Sequence, residues 1–531
     1  MAPNQDSKDV QAWLIGSGVA SLAAAVHLIN QGKVPPHQIH ILDVHHGSGG
    51  AMVTTGNSKE GYVLHTGAQP YFHGDCVKDL LSMIPSSANP KKTVWEDIKE
   101  KELYSKPFNK AHTRAIRQTE EGLRNVDMHD LRIGGKLRMD LITFIVEGER
   151  RFDSKKISDI FEETFFESEF WALWSTSFKL QSWHSATEFH RLLVKYLPGM
   201  NVHNDVRELD ETPFSLYESL IIPITTYLKH QGVDFRFHAM VTDLKLYPAS
   251  DPTTISEIVM LENEKEMLVT VDPTDIVIVT LGSLCTGMQT GSNSKPPQPY
   301  SVSADILKHG EWGLWQKLSH ECSKFGNPLN FSTRLDESKM ETFTITLHDS
   351  DFMKCYAELT RDKPGTGALF TVLESPWGLS ISVPHQPVFS TQPKNVHVIW
   401  GYGLHPDRKG KYVQKPMELC SGEEIFFELL SLLGFPTDSL LPSSITIPSL
   451  MPLGTSVLLS RTKDDRPRVV PHETTNLAFI GQFVEIPDDT TYSFEYSVRG
   501  AQIAVCTLLN LGHHPMKIKK NRLLEVFSLL V

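Results

Sequence analysis

Cysteine is scarce. Cys76, Cys285, Cys322, Cys355, Cys420 and Cys506 are the six in 531 residues, and no two of them form a C-x-x-C pair. Such scatter excludes a thiolate zinc site and a disulfide framework, and it matches the reduced cysteine usage of intracellular proteins. Long apolar runs are missing as well: a membrane-spanning helix takes about 20 apolar residues, and no stretch comes near that. The opening Met1-Ala2-Pro3-Asn4-Gln5-Asp6 has no charged-then-apolar leader pattern. Positive charge is in deficit, with 51 Lys and Arg against 63 Asp and Glu and a net charge of −12, which argues against a nucleic-acid partner. The expected location is the cytoplasm, with any membrane contact peripheral. What remains, 40% hydrophobic and 21% charged residues, describes a globular chain long enough for several domains.

The stretch Ala12 to Asp43 reads as strand, glycine turn, helix and second strand. The apolar run Ala12-Trp13-Leu14-Ile15 leads into Gly16-Ser17-Gly18, and Leu22, Ala23, Ala24, Ala25 and Leu28 continue as a helix packed on a sheet. This is the pattern of a dinucleotide-binding βαβ unit. Gly16 permits the turn, Gly18 lets backbone approach a pyrophosphate, and the first helical N–H groups face its charge. Ser21 replaces the usual third glycine with another small residue. The second strand ends in Asp43, placed to accept hydrogen bonds from ribose hydroxyls. Gly49-Gly50 just beyond predicts a second close backbone approach and leans towards FAD rather than NAD.

After a Gly- and Thr-rich loop, His65, Gln69, Tyr71, His73 and Asp75 crowd one short stretch. It reads either as the floor of a site beside the cofactor or as a polar loop capping a helix over 77–84, with Asp75 near its N-terminus. Residues 86–135 have few apolar clusters and predict surface structure without readable chemistry. Residues 138–198 predict helices whose aromatic series, with Ala186, Phe189, Leu193 and Tyr196 on one face, forms core or walls a hydrophobic tunnel. A helix over 214–232 and strands over 233–237 and 241–247 follow, and then the strand 275–283 delivers Gly282, returning the chain to the nucleotide sheet. Strands at 343–347, 379–383 and 396–400 predict an antiparallel sheet. Late in the chain, the strand 476–483 carries Gly481 and Gln482 before a helix over 495–511, whose N-terminus aims at the flavin ribityl-phosphate region. Arg499 in that helix is placed to meet a phosphate or Glu485, while Glu485, Asp488 and Asp489 read as turn caps or as catalytic carboxylates.

The fold class predicted is α/β. An FAD-binding Rossmann-like domain, of the two-dinucleotide-binding flavoprotein type, covers 10–90, 215–300 and 440–511. It is interrupted by a mixed α+β substrate-binding domain over 91–214 and 301–439, and a C-terminal helical tail covers 512–531. Cofactor-binding candidates are Gly16, Gly18, Ser21, Asp43, Gly49, Gly50, Gly67, Gly282, Gly481 and Gln482, and no metal site is expected.

Several longer runs carry a resemblance: Trp183-His184-Ser185-Ala186, Trp400-Gly401-Tyr402-Gly403-Leu404, Gly422-Glu423-Glu424-Ile425 and Leu433-Gly434-Phe435-Pro436. Asp465-Arg466-Pro467-Arg468-Val469-Val470-Pro471, Gly481-Gln482-Phe483-Val484-Glu485-Ile486-Pro487 and Glu495-Tyr496-Ser497-Val498-Arg499-Gly500-Ala501-Gln502 continue it in order. With them the chain resembles the oleate hydratases, or myosin-cross-reactive antigen family, from about residue 12 to residue 511. The resemblance implies FAD as cofactor with a mainly organising role. It also implies an unsaturated fatty acid taken from a membrane surface, water added across a cis double bond, and homodimer formation. The basic residues from Lys517 to Arg522 beside the apolar end of the chain would rest on an anionic membrane or dock on the body.

Two departures fall on the chemistry. Where the family has a loop of the form R-G-G-R-E-M, this chain has His65-Thr66-Gly67-Ala68-Gln69-Pro70, so Gln69 holds the position of the water-handling glutamate. An amide orients water and cannot take its proton. Where the family helix has a proton-donating tyrosine, this chain has Leu192. Three readings follow. One is a hydratase-like enzyme or double-bond isomerase on a fatty acid, polyketide or related lipid-like substrate, with replacement groups from Gln69, His65, Tyr71, His73, Asp75 or His190. The second is a non-catalytic FAD- and lipid-binding protein, and the third a flavin oxidoreductase on the same scaffold.

Overall fold

The computed structural model describes residues 9–67, 74–87, 89–105, 113–127, 134–202, 212–248, 253–299, 310–491 and 493–518. Four apolar segments that read as buried strands in the sequence assemble into one parallel sheet with a fifth. Its order is Leu477–Ile480, Ile276–Thr280, Ala12–Ile15, Ile39–Asp43, Asp234–Phe237. Near-continuous burial of Ala12–Ile15, Ile39–Asp43 and Ile276–Thr280 follows from helices covering the sheet, as parallel strands require. The helix Val19–Asn30 packs there through Leu22, Ala23, Ala24, Ala25 and Leu28, all fully buried. The last helix, Phe494–Leu508, lies beside it. Because the strands run in parallel, the segments leaving Ile15, Asp43, Thr280 and Ile480 all emerge at one edge of the sheet, and the strand order reverses direction around Ala12–Ile15. That edge is where ligands bind in doubly wound folds.

An eight-stranded sheet forms the second layer. Its order is Gln289–Thr290, Ser444–Met451, Met340–Leu347, His397–Gly403, Leu379–Ser382, Leu369–Val372, Thr113–Thr119, Gly122–Asp127. The expected strands near 343, 379 and 396 are all present and antiparallel to their neighbours. One pairing is parallel, Leu369–Val372 on Thr113–Thr119, so the sheet is mixed. Its outer strands come from residues 113–127, a stretch whose polar sequence had predicted only surface structure. After residue 440 the chain serves both sheets in turn, with Ser444–Met451 in the large one and Leu477–Ile480 in the parallel one.

Alternation separates the two faces of the large sheet. Phe343, Ile345 and Leu347 join Phe352, Ile425, Phe426 and Leu429 in a core under the helices Asp351–Thr360 and Gly422–Leu433. Met340, Trp400, Tyr402 and Met451 point the other way, towards Tyr62 and Leu64 of the small hairpin Thr54–Asn57 and Gly61–Leu64. Thr346 and Thr344 accept hydrogen bonds from the Tyr62 and Leu64 N–H groups at 2.9 and 3.0 Å, fastening that hairpin to the sheet. The predicted 138–198 region is helical, and Phe144, Phe161, Phe165, Trp174, Phe178 and Phe189 fill a core continuous with the parallel sheet. The aromatic series is therefore packing.

Candidate functional site

The glycine turns are built around one side chain, Thr280, at the end of the strand Ile276–Thr280, which lies beside the central strand Ala12–Ile15. Gly16, at φ +98°, lies so near that a Cβ there would be 3.1 Å from the Thr280 side chain. Ser21 shares a hydrogen bond with the Thr280 hydroxyl at 2.9 Å, and Gly481, at φ +99°, would place a Cβ 3.3 Å from its methyl. Ser21 thus does the work of a third glycine and adds a hydrogen bond. Gly49 donates to the Ser17 carbonyl at 2.9 Å and packs on Tyr217, where the chain makes the π-helical turn Tyr217–Ile221. Gly50 brings its backbone down on Gly18, with only 3.4 Å between a Cβ built at Gly50 and the Gly18 Cα. Gly49 and Gly50 thus fold a loop against the first glycine turn.

Gly18 caps the helix Val19–Asn30 with no side chain donated to the cap, and a Cβ added to it would meet nothing within 4 Å. First-turn N–H groups and open space beside them suit a pyrophosphate. Ser48, in the loop that folds over this turn, has a buried hydroxyl without a hydrogen-bond partner among the described residues. Asp43 accepts from the Ser17 N–H and hydroxyl at 2.7 and 2.6 Å on one oxygen and from the His45 N–H at 2.8 Å on the other. A carboxylate has lone pairs left for a ribose hydroxyl after these contacts. The residues present fit a dinucleotide. Gly282, at φ +60°, packs instead on Phe483 and Trp312, and Gln482 donates to the Thr491 carbonyl at 3.2 Å.

The second wall is the face of the large sheet bearing Trp400. Gly67, at φ +66°, lies flat on that indole: a Cβ there would stand 2.2 Å from its Cδ2 and Cε2. Gly67 is thus placed at the second wall and not among the other glycine turns. Lys179, the left-handed C-cap of the helix Glu169–Phe178, holds its ammonium 5.4 Å from the Trp400 ring centre and 5.3 Å from that of Tyr402. Burial lowers its pKa to about 8. The Cys285 thiol lies within electrostatic reach, pushed up to about 12 first by burial and then by Glu311. Burial also raises Glu311, with His45 opposing and Asp43 adding to the shift. These neighbours link the Asp43 end of the parallel sheet to the Trp400 face of the large one.

His65 closes the hairpin strand on this face. Its Nδ1 shares a hydrogen bond with the Ser449 hydroxyl at 3.4 Å, and burial lowers its pKa, leaving a neutral imidazole at pH 7. His190 has other surroundings: it sits among Phe144 and Phe152, with Nε2 3.2 Å from the Ile145 carbonyl, inside the aromatic core. Leu192 is fully buried in the same core. Gln69, Tyr71 and His73 lie outside the described residues, as does the chain from residue 519. The flanks of their loop are defined, however, with Gly67 on Trp400 and Gly74 on Glu495.

Several expectations need correcting. The helix after the loop is Asp75–Ser82, and its N-terminus is capped by Glu495, which accepts from the Cys76 and Val77 N–H groups at 3.0 and 2.9 Å, and not by Asp75. Arg499 pairs with Asp489 at 3.1 Å and Glu495 at 2.9 Å, not with Glu485. Glu485 instead meets Arg191 at 2.6 Å and Arg461 at 2.8 Å. Glu188 meets Arg466 at 2.9 Å and Arg461 at 3.0 Å. Arg191 also pairs with Glu149 at 2.9 Å. Burial would raise both Glu188 and Glu485, yet the surrounding guanidinium groups win, and Glu485 is held at about 2. Arg466 of the run 465–471 and Glu485 of the run 481–487 therefore meet Glu188 and Arg191, just after the run 183–186, and Arg461 in a buried ion network. Ser185 begins it by accepting from the Glu188 N–H at 3.3 Å at the start of the helix Ala186–Val202.

A parallel sheet with glycine turns gathered at the edge where its strands end, joined to a second, mixed sheet, defines the Rossmann-like α/β class that serves flavin enzymes. Residues 9–506 match the MCRA family, and the chain belongs to that family. It is 32% identical over 514 residues to the oleate hydratase of Streptococcus pyogenes serotype M49, covering 94% of this chain and 85% of that protein. It is 28% identical over 541 residues to the linoleate hydratase of Lactiplantibacillus plantarum, covering 93% and 92%. Among solved structures, an oxidoreductase from Methanosarcina mazei is similar in fold, with a TM-score of 0.54 at 14% identity, covering 92% of this chain and 98% of that one. No helix among the described residues is long and apolar enough to cross a membrane.

Proposed function

We propose that this chain binds FAD and adds water to a carbon–carbon double bond of an unsaturated fatty acid or a related lipid-like substrate, as a hydro-lyase. The observation that carries this is the likeness to two hydratases over 94% and 93% of the chain. FAD would lie with its pyrophosphate at Gly16, Gly18 and Ser48 and its ribose at Asp43, and when bound it supplies a rigid wall that organises the chamber.

Hydration forms one C–H bond from the alkene electron pair and a donated proton, and one C–O bond from water, which then gives up a proton. Gln69 is assigned the water's orientation. His65, neutral and partnered with Ser449, is the described group suited to accept the water's proton. The donor must replace a tyrosine, since Leu192 is apolar and buried; the Tyr71 phenol has the matching chemistry, and His73 is the alternative. The packing of His190 argues against a part in the reaction.

The FAD-loaded protein incubated with oleic and with linoleic acid, in air and without it, tests this by mass spectrometry. A gain of one water is expected in both atmospheres. A shifted double bond at unchanged mass would point to isomerisation, and turnover with bleaching of the flavin to an oxidoreductase. No product beside retained FAD and bound fatty acid would leave a binding protein, the reading that Gln69 and Leu192 favour.

A further inference from the structure

A small cleft opens where four stretches of chain meet: the segment that precedes the helix Ala186–Val202, residues 336–339, the segment 404–408 that leaves the strand His397–Gly403, and Thr455. Its volume is about 70 Å³, more than one water needs, and it is partly open to solvent. Some of the charged groups along it are already paired. Glu337 meets Arg334 and, at 3.7 Å, Lys156, and Lys339 meets Glu418 at 3.2 Å. Asp336, Asp407 and Arg408 have no ion-pair partner among the described residues, and together they leave one negative charge in excess. Two neutral groups add acceptors. Gln181 is 8% exposed and donates from Nε2 to the Leu404 carbonyl at 3.4 Å, while its Oε1 receives no hydrogen bond from a described residue. A buried acceptor without a donor is costly. The His405 imidazole has no hydrogen-bond partner among the described residues either; burial first, and Arg408 second, lower its pKa to about 4, so at pH 7 it keeps a free lone pair. Trp183, its indole N–H tied to the Glu337 carbonyl at 2.9 Å, supplies an aromatic wall, and aromatic rings attract cations. No three His, Cys, Asp or Glu side chains among the described residues are grouped to hold a metal ion, so the cation that this cleft suits is an organic one.

We propose that this cleft binds the primary ammonium group of a small amine, with Gln181 Oε1, the Asp336 and Asp407 carboxylates and the His405 imidazole accepting from its N–H groups beside Trp183. A primary ammonium brings three donors and one positive charge, which match the directed acceptors and the excess charge of the cleft. A quaternary ammonium brings the charge without the donors. The carbon chain of the amine leaves through the open side. The site is independent of the hydratase reading, and it neither supplies nor uses a group of that reaction.

Titration of the purified full chain with ethylammonium, tetramethylammonium and ethanol at constant ionic strength, followed by saturation-transfer NMR of the ligand, tests it. The chains compared are wild type and the double variant Asp336→Asn, Asp407→Asn, in which both positions are exposed and the fold is kept. Ethylammonium should bind wild type saturably in the millimolar range, which is the bound for a ligand of so few atoms. Tetramethylammonium, without N–H donors, and ethanol, without charge, should each bind at least about tenfold more weakly. Ethylammonium affinity should fall by about 10- to 100-fold in the double variant, as expected when charge-assisted hydrogen bonds are removed. Tetramethylammonium binding as well as ethylammonium, or ethylammonium affinity unchanged in the double variant, overturns the proposal. So does the lack of any saturable ethylammonium binding, which would mean that the cleft takes only water.

Discussion

The two sheets are built to different rules where they meet. On the parallel sheet the work is done by backbone: Gly16, Gly18, Gly50 and Gly481 set distances, and the side chains that matter, Ser21 and Thr280, are small and lock the turns together. At the large sheet side chains make the contacts: Trp400 and Tyr402 project from one strand, Lys179 reaches over them from a helix C-cap, and His65, just past the hairpin, bonds Ser449. A backbone site survives drift in its neighbours, because only glycine satisfies its dihedral angles and approach distances. A side-chain site is remade by one substitution.

The comparison can be broken most severely at the ion network beneath both walls. Glu188→Ala would leave Arg466 buried without its carboxylate and Arg461 with Glu485 alone, and removal of one member of such a group costs about 3–5 kcal/mol. Denaturant midpoints of the FAD-free protein should fall accordingly; an unchanged midpoint would mean that these pairs contribute nothing.

Next comes Glu341, a fully buried carboxyl on the opposite face of the large sheet whose oxygens have no partner among the described residues. Burial first, and Glu418 second, raise its pKa well above the ordinary value. The folded state therefore keeps a proton that the unfolded state releases, so stability is lost as pH rises above the ordinary carboxylate range. Glu341→Gln should stabilise the protein at pH 8 by about 1–3 kcal/mol and flatten that slope, as read from chemical denaturation at several pH values. A destabilised variant would show that the carboxylate has a partner.

Gly18→Ala sharpens the contrast between fold and site. Its Cβ meets no protein atom within 4 Å, so thermal stability without cofactor should be unchanged, while FAD affinity falls by about tenfold or more through crowding of the pyrophosphate. Equal FAD affinity in titration would place the pyrophosphate elsewhere.

The same contrast governs what could be read from sequence. Ala12–Ile15, Ile276–Thr280 and Leu477–Ile480 were legible because buried parallel strands are nearly all apolar and here run into a glycine turn, and Ile39–Asp43 because an apolar strand ends in the acidic residue at the expected distance. Thr113–Thr119 and Gly122–Asp127 were not, since their charged residues hide the alternation and their pairing depends on a distant strand. In the site, the glycines announced themselves. Thr280 and Ser48 did not, because their importance comes from what packs on them. Lys179 was hidden for the same reason: its contact with two rings arises only when a left-handed turn brings it over Trp400 and Tyr402, far along the chain. The run 465–471 signalled the family, and its Arg466 is held in a buried ion pair with Glu188.

The measurement that bears most directly on the whole account is incubation of the FAD-loaded protein with oleate in heavy-oxygen water. The account predicts a hydroxy fatty acid carrying one heavy oxygen, formed with no lasting change in the flavin spectrum. Unaltered oleate recovered from protein that holds both FAD and fatty acid would contradict it, and would mean that the cofactor wall has outlived the chemistry it once served.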